Sequence, residues 1–164
     1  MIDANYWIEK LQLSPHPEGG YYKEVYRSEN EIDILSTDGK TSLKRNSLTS
    51  IYFLLKCEDF SHFHILSSDE IWYFHSGQSA IIHFIDKKGQ YFTKTINSEN
   101  LQVTIPHETF FAAELTSKND NDYILVSCAV APGFDFEDFR MASKSELITL
   151  CPNQKQLINQ LTIS

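Results

Sequence analysis

From Ser47 to Ala131 the chain repeats one pattern: a short run rich in Val, Ile, Leu, Phe and Tyr, then a polar break. The pattern predicts strands over Leu48–Leu55, Ser61–Leu66, Glu70–His75, Ala80–Asp86, Tyr91–Ile96, Leu101–Ile105, Thr109–Leu115 and Tyr123–Ala131. Leu48–Leu55 is almost wholly apolar, as a strand covered on both faces would be. Lys87–Lys88–Gly89 marks a hairpin turn. Regular strands with no helix between them predict an all-β antiparallel sandwich or barrel.

The two ends read differently. Asp3 is placed to cap a short helix with Trp7, Ile8 and Leu11 on its apolar face, ended by Pro15 and Pro17. Gly19–Gly20 bend the chain into an aromatic strand, Tyr21–Ser28. Residues 29–46 are polar, contain the turn signal Asp38–Gly39, and read as a loop or a loose hairpin. Ala131–Phe139 is an acidic loop whose three phenylalanines would anchor it to the barrel. Ser143 and Glu146 have capping-box spacing, and Pro152 suits the first turn of a last helix carrying Leu157, Ile158 and Leu161. One domain over 1–164 is expected, with the barrel at about 20–140 and a helical tail at about 143–162.

Composition narrows the function classes. A formal net charge of −8 and the lack of a basic run argue against nucleic acid as a partner. No apolar run approaches a membrane span, and the start lacks a signal-peptide pattern. Cys57, Cys128 and Cys151 form no zinc pair and no disulfide framework, so reduced thiols in the cytoplasm are expected.

The chemistry concentrates in Ser61–Gly77, S-H-F-H-I-L-S-S-D-E-I-W-Y-F-H-S-G. On a regular strand His62 and His64 share one face. A turn at Ser67–Ser68–Asp69 returns Glu70 beside them, with Trp72 and Phe74 on its own face as pocket wall or core. Imidazole and carboxylate converging on one point serve acid–base catalysis or metal binding. His75 falls on the opposite face, and His83 reads as structural.

The spacing H-x-H-x5-E-x6-G resembles the first cupin motif, and Gln102–Leu115, with Pro106, resembles the second. Pro15–Tyr22, Ser50–Leu55, Asp69–Trp72 and Val130–Phe139 look like blocks of the largely uncharacterised cupin-5 family, spanning about residues 5–147. The resemblance implies a cupin-type jelly-roll barrel, a homodimer and a small-molecule pocket, without a settled activity. Metal-binding cupins draw a further histidine from P-x-G-x2-H; here Glu108 stands at the glycine and Phe111 at the histidine. No metal is therefore assigned. If zinc, iron or manganese binds, His62, His64 and Glu70 are the candidates, with water or substrate completing the shell.

Glu18–Arg27, E-G-G-Y-Y-K-E-V-Y-R, is similar to the N-terminal segment of the dTDP-sugar 3,5-epimerases. That likeness implies an isomerase-like or epimerase-like reaction on a polar or sugar-like metabolite. His64 would be the base, Tyr52 the acid and Glu70 its acid–base partner. Glu24, Tyr26, Arg27, His62, Trp72 and Phe111 would be ligand contacts, and Lys23, Arg27 or Arg45 would meet phosphates. A non-catalytic ligand-binding cupin and a metal-dependent cupin enzyme with an incomplete triad are the alternatives.

Overall fold

The computed structural model describes residues 2–35 and 42–163. In chain order its elements are α1 (Ala4–Leu11), β1 (Ser14–Pro15), β2 (Tyr21–Arg27), β3 (Glu31–Leu35), β4 (Ser42–Asn46), β5 (Thr49–Lys56), β6 (Phe60–Leu66) and β7 (Asp69–Gly77). There follow β8 (Ala80–Ile85), β9 (Tyr91–Ile96), β10 (Gln102–Ile105), β11 (Phe110–Leu115), β12 (Tyr123–Ala131), β13 (Phe139–Met141), α2 (Lys144–Leu150) and α3 (Lys155–Gln160). Two antiparallel sheets face each other as a jelly-roll barrel. One has the order β1-β2-β5-β12-β7-β10 and the other β13-β6-β11-β8-β9.

Alternation along the strands divides the apolar residues among three cores. Between the sheets lie Phe53, Leu55, Trp72, Ile82, Phe84, Phe111 and Val126. Trp72 is 1% exposed, and burying a ring of that size contributes on the order of 2–3 kcal/mol. On the outer face of the second sheet, Phe63, Ile85 and Ala112 pack against Leu147, Ile158 and Leu161 of the helical tail. On the outer face of the first, Leu54, Tyr123 and Leu125 take the apolar side of α1.

The Asp3 carboxylate caps α1 by accepting from the Tyr6 N–H at 2.8 Å. The helix stops before the prolines are reached. Gln12 adopts φ 55°, a left-handed C-cap, and Pro15 instead forms part of β1. Residues 29–46 contain the antiparallel strand pair β3–β4, with Glu31 opposite Asn46; the Asp38–Gly39 turn lies outside the described residues. The acidic loop ends in a short strand, β13, that the residue pattern does not mark. Ser143 caps α2 as expected, whereas Pro152 opens a separate 3-10 turn, Pro152–Gln154, that leads directly into α3.

Candidate active site

A cavity of about 470 Å³ opens at one end of the barrel, within the range of small-molecule sites. Three elements meet there: the loop entering β2, the inward face of β6 and β7, and the loop following β12. The sequence brings them together through two β-bulges and one glycine.

The first bulge lies in β6. Phe111 pairs with His64 and Ala113 with Ser61, so His62 and Phe63 of β6 oppose the single Ala112 of β11. Ser61 and His64 therefore face inward together. The expected sharing of a face by His62 and His64 fails for this reason, and His62 stays outside the cavity lining. Its Nδ1 instead donates to the Glu18 backbone carbonyl at 2.7 Å, which also accepts the His62 backbone N–H at 2.8 Å. The next residue, Gly19, has φ +110°, and a Cβ there would run into the Phe60 carbonyl oxygen. His62 and Gly19 thus press the Glu18 loop onto β6.

Glu18 is the residue that the expected constellation lacks. Its carboxyl is buried, accepts from the Ser61 hydroxyl at 2.7 Å, and lies 3.1 Å from His64 Nε2. His64 Nδ1 is 2.7 Å from the His62 carbonyl. A carbonyl only accepts, so Nδ1 carries a hydrogen. Nε2 and Glu18 then hold one proton between them. Burial raises the Glu18 carboxyl and lowers His64, both of which favour the neutral acid–imidazole form.

Glu70 completes the floor. Its Oε1 accepts from the Trp72 indole N–H at 2.8 Å, and the Cys128 thiol donates to it. Burial and the neighbouring Glu18 carboxyl push Glu70 up to about 7. Burial beside Glu70 and Glu18 holds the Cys128 thiol well above its ordinary range. His16 lies on the opposite wall, with its Nδ1 accepting from the Glu18 N–H at 3.2 Å. Burial lowers His16 in turn. Tyr22 meets it edge-on, ring centres 4.5 Å apart.

The second bulge, at Val25 of β2, sorts the expected ligand contacts. Glu24 pairs with Ile51, Tyr26 with Ser50 and Arg27 with Thr49. Glu24 and Arg27 thus line the cavity and Tyr26 does not, being 52% exposed on the outside. Tyr52 is also displaced from its expected role. Ile51 and Phe53 point inward, so Tyr52 points outward, against α1 and the His75 ring. Tyr22 is the tyrosine of the cavity. Trp72 lines it, whereas Phe111, fully buried, packs beneath His64 with ring centres 4.0 Å apart. Among the described residues no group of three or more His, Cys, Asp or Glu side chains is arranged to hold a metal ion. His62, His64 and Glu70 are therefore not assembled as a ligand set.

The loop after β12 forms the rim. The Phe134 N–H donates to Thr49 Oγ1 at 2.8 Å. Arg45 grips Asp138 through two hydrogen bonds, at 2.7 and 3.0 Å, and Glu137 through a third at 3.1 Å. These ties hold Phe134, Phe136 and Phe139 over the cavity mouth.

A jelly-roll barrel with an aromatic pocket walled by imidazole and carboxylate places the chain among the cupins. More specifically, residues 5–142 match the family described as Cupin superfamily (DUF985), Cupin_5, and the chain belongs to that family. It is 34% identical over 152 residues to the uncharacterized protein YML079W of Saccharomyces cerevisiae, covering 80% of this chain and 71% of that one. A hypothetical protein from Leishmania major superposes with a TM-score of 0.88 at 34% identity, over 99% of this chain and 100% of its own. The protein SO0799 from Shewanella oneidensis superposes with a TM-score of 0.85 at 35% identity, over 99% of each chain. None of these names states an activity.

Proposed function

We propose that the protein is an acid–base enzyme acting on a small polar metabolite, with Glu18, His64 and Glu70 as its proton-handling groups. The observation that carries this reading is the 3.1 Å contact between the Glu18 carboxyl and His64 Nε2, beside a second buried carboxyl, Glu70, that burial pushes up to about 7. A carboxyl poised near neutrality, as Glu70 is, both gives and takes a proton at working pH. Abstraction next to a carbonyl, followed by return of the proton at the same or a neighbouring carbon, is the isomerase-like chemistry such a set supports. Tyr22 or Glu70 replaces Tyr52 as the acid. Ligand binding without turnover is the second reading, favoured because Glu18 already engages His64 Nε2.

The assay is a melting-temperature screen against a metabolite library with wild type, His64→Asn and Glu70→Gln. A ligand that stabilises the wild type and loses that effect in both variants is expected; no stabilising ligand, or one indifferent to both substitutions, contradicts the proposal. Among the described residues the edge of β2 beyond Tyr22 is unpaired, with Val25 and Tyr26 exposed, which supports a homodimer formed through that strand. Three free, buried cysteines support a reducing compartment such as the cytoplasm. Among the described residues no helix is long and apolar enough to cross a membrane.

A further inference from the structure

The cavity lining is unbalanced in charge. Glu18, Glu24, Glu70 and Asp135 contribute carboxyl groups, and among the described lining residues Arg27 is the only Lys or Arg. That guanidinium is already engaged. Its Nε and Nη2 donate to the two oxygens of Glu24 at 2.9 and 2.7 Å, Nη1 donates to Asn46 Oδ1 at 2.8 Å, and Nη2 to the Phe134 carbonyl at 3.1 Å. Four of the five N–H groups of an arginine are thereby used. The other cations expected to meet phosphates are committed elsewhere. Lys23 donates to Gln12 at 2.8 Å, and Arg45 is held by Asp138 and Glu137. An incoming anion meets carboxyl groups and, apart from the neutral donors of His16 and Tyr22, no unengaged cation among the described lining residues.

The remaining lining is aromatic. Phe136 stands 54% exposed at the mouth, nearly parallel to His16 with ring centres 6.5 Å apart. Phe134 and Phe139 meet it edge-on, at 4.9 and 6.0 Å. Ring faces carry negative quadrupole potential and attract ammonium groups. Both parts of the lining therefore favour the same sign of charge on the ligand.

We propose that the cavity selects a ligand bearing a positively charged nitrogen, an amine or a quaternary ammonium, held among these rings and carboxylates. This deepens the small-molecule reading above and rests on it. Such a ligand ionises Glu70 as it enters. The groups facing Glu70 are Glu18, His64, Cys128 and Trp72, and none of them supplies a permanent counter-cation. With Glu70 titrating at about 7, binding releases a proton below that pH. Affinity for the cation then rises as pH increases from 6 and levels off above 7 to 8.

Calorimetric titration of the full chain near pH 8 tests this with three probes of matched shape: 2-phenylethylammonium, 3-phenylpropionamide and 3-phenylpropionate. The ammonium is expected to bind about tenfold more tightly than the amide, and the propionate more weakly than either. Glu24→Gln, at an exposed position on the rim where it frees Arg27, is expected to weaken the ammonium by about tenfold and strengthen the propionate. Amide or propionate binding as tight as the ammonium overturns the charge selection while leaving the small-molecule site standing. No binding by any of the three at about 10 mM overturns both.

Discussion

Replacing Glu70 with glutamine tests the electrostatics of the cavity floor through folding stability. In the unfolded chain this carboxyl titrates at its ordinary value of 4.5, and in the fold at about 7. Between those pH values the folded state binds the proton and the unfolded state does not. Stability contributed by the protonated group is therefore complete below 4.5, falls as pH rises, and is lost once pH passes about 7. At about 1.4 kcal/mol per pH unit, the loss is at most about 3 kcal/mol. His64 and His16, lowered by burial, act in the opposite direction. They remain in the variant, so the difference between two pH profiles isolates Glu70 and its coupling to Glu18. Glutamine keeps an acceptor for the Trp72 indole and cannot ionise. Urea unfolding from pH 5 to 8.5 is the assay. The wild type is expected to lose up to about 2.5 kcal/mol relative to Glu70→Gln across that range. Parallel profiles would show that Glu70 is ionised in the fold throughout, and would refute the assigned protonation.

Three further outcomes follow from local geometry. Gly19→Ala puts a Cβ against the Phe60 carbonyl at a φ of +110°; a loss of about 1–3 kcal/mol is expected in denaturant unfolding, with weakened ligand binding because Glu18 is displaced. Gln12→Gly relieves the left-handed C-cap of α1, where φ is 55°; a gain of about 0.5–1 kcal/mol is expected, and an unchanged or lower melting temperature would contradict that account. Tyr26→Lys on the unpaired edge of β2 is expected to turn a dimer into a monomer by light scattering, whereas a monomeric wild type would dismiss the strand-mediated dimer.

Strands were legible in the residue pattern because alternation and turn residues repeat along the chain. Tyr91–Ile96 and Tyr123–Ala131 run as the pattern predicts. Where the pattern misleads, one inserted residue is responsible. The bulges in β2 and β6 exchange Tyr26 for Arg27 and His62 for Ser61 on the inward face. Period-two alternation carries no mark of an inserted residue. Tyr52 was misplaced for a different reason: an almost wholly apolar strand does not reveal which face is inward.

His16 and Glu18 were missed because they lie on a loop and reach the site only through the fold. A signal was nevertheless present. The block P-H-P-E-G-G places an imidazole and a carboxyl beside a glycine at positive φ, just where the chain turns into β2. Glu70 and Trp72 follow from the pattern because β7 is regular there and faces the cavity, and His64 follows because it lies just past the β6 bulge, where regular pairing resumes.

Solvent-deuterium wash-in tests the central claim most directly. A ligand found by the melting screen is incubated with the protein in D2O and followed by NMR. Deuterium is expected at one carbon-bound position with the wild type, and its rate is expected to fall at least about a hundredfold in His64→Asn and in Glu70→Gln. Stoichiometric binding with no wash-in, or wash-in undiminished in both variants, would contradict the assignment of Glu18, His64 and Glu70 as a proton-transfer site.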